Sequence, residues 1–182
     1  MKIAAVGRGN VGGGLADLWE RAGHEVTRIG KEGGDVSDAG AVLVAVPGAA
    51  IADAVANVSG LDGKTAIDAT NRVGAEPPPG FRSNAEFVKS KTNGPTAKSF
   101  NLNFARLYDR LGEAKSRPTN IWSGDEEARP VVEQLIRDAG YEPVYGGPLE
   151  NARAQEEFLQ VFFAISKDRG PFLYRMAPPE EF

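Results

Sequence analysis

The sequence predicts an α/β fold, a doubly wound and mostly parallel sheet in a single domain, and three observations lead to it. Short apolar runs alternate with helical patterns along the chain. A glycine-rich turn separates the first apolar run from the first helical pattern. The 182 residues suit one domain and suffice to bury a sizeable core.

Residues 3–6 are apolar and end in glycines, hence a buried strand. Residues 11–22 carry Leu15, Leu18 and Trp19 at helical spacing, with Asp17, Glu20 and Arg21 opposite. Residues 25–29 form a second strand, and 41–46 a strand buried on both faces, as parallel strands are. The pattern continues with a helix at 49–58, a strand at 65–68, a short helix at 85–91 and a strand at 96–100. Then come a helix at 104–111, a strand at 119–122, an amphipathic helix at 126–139, a strand at 142–145 and a helix at 150–167. The stretch from Ile29 to Gly40 is 12 residues with four glycines, too short for a crossover helix. Glu76-Pro77-Pro78-Pro79-Gly80 reads as a stiff exposed connector.

Composition removes several kinds of chemistry. Hydrophobic residues at 41% and charged residues at 25% exclude wholesale disorder. The formal charge of -4 and a pI near 5.2 argue against nucleic acid or an anionic membrane as a partner. With no cysteine, thiolate catalysis, disulfides and Cys-metal sites are excluded. The single histidine, His24, falls at the turn from the first helix to the second strand, which is a structural position and leaves no metal site expected. The longest apolar stretch, 39–52, is broken by Pro47-Gly48, so no membrane span or export segment is expected and the expected location is the cytoplasm.

Gly7-Arg8-Gly9-Asn10-Val11-Gly12 is a G-x-G-x-x-G that follows a strand and opens a helix. In that context Gly7 permits the tight turn, Gly9 lets the backbone approach a pyrophosphate, and Gly12 allows close helix–strand packing. The first-turn N–H groups then hold the phosphates. After the second strand comes Thr27-Arg28-Ile29-Gly30-Lys31, with no acid before Glu32. Arg28 and Lys31 are candidate ligands of an NADP 2′-phosphate; in the other reading both are solvated charges and Glu32 takes the ribose. Ligands of open parallel sheets collect at the carboxyl ends of strands, here Val46-Pro47-Gly48, Asp68-Ala69-Thr70-Asn71 and Phe100-Asn101-Leu102-Asn103. Val46 and Pro47 would support a nicotinamide ring. Asn71 would bond its carboxamide or, with Phe100 and Asn101, line a substrate site; each Asn is equally readable as a loop or cap residue.

Together these residues resemble the deazaflavin (coenzyme F-420)-dependent NADP reductases and related NADP-binding oxidoreductases of the Rossmann fold. The resemblance rests on Gly9-Asn10-Val11-Gly12, Gly23-His24-Glu25-Val26, Val44-Ala45-Val46-Pro47 and Ile67-Asp68-Ala69-Thr70-Asn71. It continues through Ser83-Asn84-Ala85-Glu86, Lys98-Ser99-Phe100-Asn101, Gly124-Asp125-Glu126 and Gly147-Pro148-Leu149-Glu150-Asn151-Ala152-Arg153. Where the family carries a Ser-Arg pair for the 2′-phosphate, this chain has Gly30-Lys31; Arg72 stands for a frequent Pro and Leu102 for a frequent Thr.

The resemblance implies an NADP(H)-dependent oxidoreductase that passes hydride to or from a flat redox partner such as a deazaflavin or flavin. No general acid or base is required, because ring-to-ring hydride transfer depends on alignment. The rival reading is a catalytically silent NADP-binding redox sensor. Residues 158–165 are apolar at seven of eight positions. They read either as a core helix roofed by Pro171-Phe172-Leu173-Tyr174, covering the sheet edge, or as the contact of a homodimer, which is the expected assembly.

Overall fold

The short apolar runs become the strands of one sheet in the computed structural model, which describes residues 1–74 and 76–181. The strands are β1 (Lys2–Val6), β2 (Glu25–Ile29), β3 (Ala41–Val44), β4 (Thr65–Asp68), β5 (Thr96–Lys98), β6 (Thr119–Gly124) and β7 (Glu142–Tyr145). Their spatial order is β2-β1-β3-β4-β5-β6-β7, so the order reverses between β1 and β3. Neighbours run parallel except β5 and β6, which are antiparallel with Lys98 opposite Ser123. The helices are α1 (Asn10–Arg21), α2 (Ile51–Ala56), α3 (Asn84–Thr92), α4 (Arg129–Asp138) and α5 (Ala152–Arg169).

Alternation along each strand divides the core between two faces. Ile3, Ala5, Leu43 and Ile67 face one way and pack with Leu15, Trp19, Val132, Leu135 and Ile136 of α1 and α4. Ala4, Val6, Val42, Val44 and Ala66 face the other way, against Ile51, Val55, Phe87 and Val88 of α2 and α3. The buried indole of Trp19 donates to the Leu135 carbonyl at 2.8 Å, which fixes α1 against α4. Both layers of a doubly wound fold are therefore present.

Four sequence expectations need adjustment, the first being the strand expected at 41–46, which ends at Val44. The stretch 96–100 stops being a strand at Lys98, because Phe100 has φ +61° and turns the chain. Residues 104–111 form no α-helix: Ala105–Glu113 is 3₁₀, with Tyr108 set against Gly14 of α1, where a Cβ would lie 2.6 Å from the ring. With no crossover helix, β6 enters antiparallel to β5. The predicted helix 49–58 shortens to a 3₁₀ turn at Gly48–Ala50 plus α2, and Val58–Ser59 pairs instead with Gly34–Asp35 as two short parallel strands. Gly34–Asp35 of that pair lies in the 12-residue link between β2 and β3.

Where β1 runs into α1, the fit is tight at two glycines. A Cβ on Gly7 (φ +113°) would lie 2.2 Å from the Ala45 carbonyl oxygen, and one on Gly12 would lie 2.1 Å from that of Gly7. At Gly9, which caps α1, no atom lies within 4 Å of a built Cβ.

At the carboxyl ends of β4 and β5 four charges are gathered. Lys98, wholly buried, donates from Nζ to Asp68 Oδ2 at 2.8 Å and to the Thr70 carbonyl, and pairs with Glu156 Oε1 at 2.9 Å. Arg72 Nε donates to Glu156 Oε2 at 2.6 Å, and the Asn84 backbone N–H to Glu156 Oε1 at 3.2 Å. Burial pushes the Glu156 carboxyl above its ordinary range, and Lys98 opposes that shift. Two cations thus balance two carboxylates, and Glu156 fastens α5 to the sheet.

Replacing Lys98 by Met leaves Asp68 as an uncompensated buried charge and Glu156 with Arg72 as its remaining cation. The expected loss is about 3–5 kcal/mol in urea unfolding, with part returned by adding Glu156→Gln. Gly12→Ala should cost about 1–3 kcal/mol by overpacking, whereas Gly9→Ser should stay within about 0.5 kcal/mol. Equal stability of the two glycine variants would contradict the packing described.

Candidate functional site

The reversal between β1 and β3 places the glycine turn at the switch point of the sheet, where open α/β folds hold their ligands. The turn is anchored by the Gly7 N–H to the Ile29 carbonyl (2.9 Å) and by the Ala45 N–H to the Val6 carbonyl (2.8 Å). The first turn of α1 has no side-chain cap and no acidic residue, so its free N–H groups and positive dipole end suit an anion. The space beside Gly9 is open. Arg8, Gly9 and Asn10 are exposed, while Gly12 is buried and spaces the helix from the strand.

The two cations expected after β2 part company. Arg28 folds back over α1: its Nη2 donates to Asp17 Oδ1 at 2.5 Å and to Glu20 Oε2 at 2.9 Å, and its Nη1 to Glu20 Oε1. The bond to Glu20, followed by that to Asp17, raises the guanidinium pKa beyond its already high value. The structure therefore ties Arg28 to the outer face of α1 rather than leaving it free at the strand end. Lys31 is exposed and makes no ion pair among the described residues. Glu32, the other candidate of this segment, pairs with Arg8.

A cleft of about 240 Å³ opens next to the turn. Its walls include Asn10 and Val11 of α1, Asn71 beyond β4, Phe100 and Asn101 beyond β5, and Leu159 and Phe163 of α5. Residues 71, 100 and 101, picked from strand ends, are thus brought together. Their roles differ from one another. The Phe100 ring is buried in the core, edge-on to Trp19 at 5.9 Å and to Tyr141 at 6.3 Å. Asn101 is fully engaged: its Nδ2 donates to Asn71 Oδ1 at 3.1 Å and its Oδ1 accepts from Gln155 Nε2 at 2.7 Å. Asn71 Nδ2 returns a bond to the Asn101 carbonyl at 3.0 Å. Of the three, Asn71 is the half-exposed one.

Val46 touches the turn, 3.2 Å from the place of a Gly7 Cβ, and Pro47 is exposed ahead of the 3₁₀ turn. Neither is part of the 240 Å³ cleft's lining.

Sequence reading missed Arg106, Leu159 and Phe163 as cleft residues, and Gln155 as the buried side chain that holds Asn101 of the wall. Gln155 ties three places together, donating to Asn101 Oδ1 and to the Ile121 carbonyl (3.0 Å) and accepting from Ser123 Oγ (2.9 Å). Its only sequence signal is a polar residue one position before the buried Glu156, on the helix face that also carries Leu159. Arg106 is exposed on the cleft rim in the 3₁₀ segment, where no periodic pattern points to it. His24 lies elsewhere, with Nε2 2.8 Å from Asp138 Oδ2 and Nδ1 3.2 Å from the Met1 amino group, and so has the structural place expected of it.

No protein-family model matches the sequence, and no curated protein matches it. Solved structures do. A protein of Arthrobacter sp. FB24, provisionally described as an F-420-dependent NADP reductase, superposes with a TM-score of 0.80 at 23% identity, over 98% of this chain and 100% of its own. A hypothetical protein of Sinorhizobium meliloti gives 0.63 at 25% identity, over 82% of this chain and 84% of its own. A reductive aminase of Aspergillus terreus, solved with NADPH and ethyl levulinate, gives 0.64 at 15% identity over 92% of this chain. The chain spans 62% of that aminase's length. Among the described residues no helix is long and apolar enough to cross a membrane, and no cluster of metal-ligating side chains is present. The architecture is that of these neighbours, a Rossmann-like α/β fold with a mostly parallel seven-stranded sheet.

Proposed function

We propose that this chain is an NADP(H)-dependent oxidoreductase that exchanges hydride with a flat redox partner such as a deazaflavin or flavin. The observation that carries the reading is the glycine turn at the switch point. Gly7 and Gly12 are fixed by packing, while the side of Gly9 faces open space. Gly9 and the uncapped N–H groups of residues 10–12 would hold the pyrophosphate, with Arg8 and Lys31 supplying charge at the 2′-phosphate side. Val46, Pro47 and Asn71 would flank the nicotinamide, and Asn71 with the walls of the 240 Å³ cleft would receive the partner. The solved neighbours described as NADP reductase and as an NADPH complex support the same cofactor.

When bound, the nicotinamide supplies or accepts the hydride. The protein's part is to align two rings and keep water out. The cleft contains no carboxylate, histidine or phenol, which suits a step needing no proton transfer by the protein. Its polar side chains are braced against one another through Asn71, Asn101 and Gln155, so the wall is preorganised.

Fluorescence titration should show NADPH binding more tightly than NADH by roughly tenfold, the worth of one charge-assisted hydrogen bond. Gly9→Val should abolish binding of both nucleotides while the circular dichroism spectrum stays that of the folded protein, since its side chain would occupy the pyrophosphate's place. Unaltered binding by that variant would place the site elsewhere. NADPH oxidation with deazaflavin, flavin or ferric acceptors tests turnover; tight binding without turnover on any of them would favour the silent sensor.

We further propose a homodimer through α5. Leu159 and Phe162 pack with Leu102, Phe172 and Tyr174, so the chain's own tail roofs that face, and Phe162 is core. Beside it Phe158, Val161 and Ile165 form an exposed apolar stripe at i, i+3 and i+7. Phe182 lies outside the described residues. Light scattering at micromolar concentration should give about twice the 19.3 kDa chain mass, and Val161→Asp should halve it. A monomeric wild-type protein would refute the assembly.

A further inference from the structure

Arg8 lies between the first two glycines of the turn, and its guanidinium already has an anionic partner. Arg8 Nη2 donates to Glu32 Oε1 across the end of β2. The pair stands over Gly30, the first residue past that strand: a Cβ there would be 2.5 Å from Glu32 Oε2 and 2.8 Å from Arg8 Cζ. Both side chains are more than half exposed, at 54% and 58%, so the pair is no core brace and contributes little to stability. The carboxyl end of β2 is where a dinucleotide's ribose hydroxyl or 2′-phosphate is met. With Arg28 drawn away by Asp17 and Glu20, Arg8 and Lys31 are the cations left beside this position.

We propose that the Arg8–Glu32 pair sets the cofactor preference, with Glu32 acting as a built-in competitor that an incoming 2′-phosphate must displace from the Arg8 guanidinium. The inference rests on the NADP(H) reading of the glycine turn. A guanidinium holds carboxylate or phosphate through the same planar fork, so two anions contend for one cation. NADPH must move the carboxylate aside, with Lys31 as the second cation. NADH brings no phosphate and leaves the pair intact, and the Glu32 carboxylate, held at Oε1 by Arg8, would then meet the ribose hydroxyl. Glu32 thereby lowers affinity for NADPH and supports NADH, which narrows a preference that the cations alone would make wide.

Titration of NADPH and of NADH against wild type, Glu32→Gln, Arg8→Met and the double variant tests this, with circular dichroism confirming each fold. Glu32→Gln should tighten NADPH about tenfold and leave NADH unchanged or weaker. Arg8→Met should weaken NADPH and remove the gain from Glu32→Gln in the double variant. A Glu32→Gln protein that shifts both nucleotides equally, or whose gain persists without Arg8, overturns the competition while leaving the binding site in place. A folded wild type that binds neither nucleotide overturns the NADP(H) reading and this inference with it.

Discussion

One ammonium group organises the edge of the sheet that carries the cleft. Lys98 is buried where β4, β5 and α5 meet, and it survives there because Asp68, the Thr70 carbonyl and Glu156 surround it. An unpaired charge at that depth would be very costly, so each partner must be held where it is. The neighbours in sequence inherit those positions. Asn71 follows Thr70 and Gln155 precedes Glu156, so anchoring the charges also sets Asn71 in the cleft wall and Gln155, which holds Asn101 there. Replacing such a cluster by apolar side chains need not cost stability; what it fixes is register.

The cleft's polar groups are mostly engaged with one another. Asn101 spends both ends of its amide on Asn71 and Gln155, and Gln155 in turn reaches Ser123 and the Ile121 carbonyl. Ser99, Asn120 and Asn103 form a second chain of bonds, at 2.7 and 2.8 Å, that reaches the wall at Asn103. A wall built this way offers shape and rigidity rather than acid–base chemistry. That agrees with a reaction whose demand is alignment.

Charge is distributed by the same logic of local partners. Arg28 and Arg8 both lie near the end of β2, yet one is drawn to the helix face and the other to the turn. The difference is which carboxylate is within reach: Asp17 and Glu20 lie on α1, Glu32 on the loop beyond the strand. A guanidinium's place in a binding site depends on these competing anions as much as on its position in the chain.

Alternation of strands and helices, the G-x-G-x-x-G at the first turn, and a buried parallel strand within residues 41–46 were legible in the sequence alone. They follow from local periodicity and glycine placement, which act over a few residues. The structural place of His24 was legible for the same reason. Tertiary structure alone decided the rest. The antiparallel entry of β6 came from the positive φ of Phe100 and a 3₁₀ segment packed on α1. The Asp68–Lys98–Glu156–Arg72 cluster joins residues up to 88 positions apart, and sequence spacing contains no trace of it. The capture of Arg28 by α1 and of Arg8 by Glu32 likewise depends on which side chains fold alongside. A residue's type sets the chemistry it can do, but for charged and amide groups the partner decides whether it is free to do it, and partners are assigned by folding.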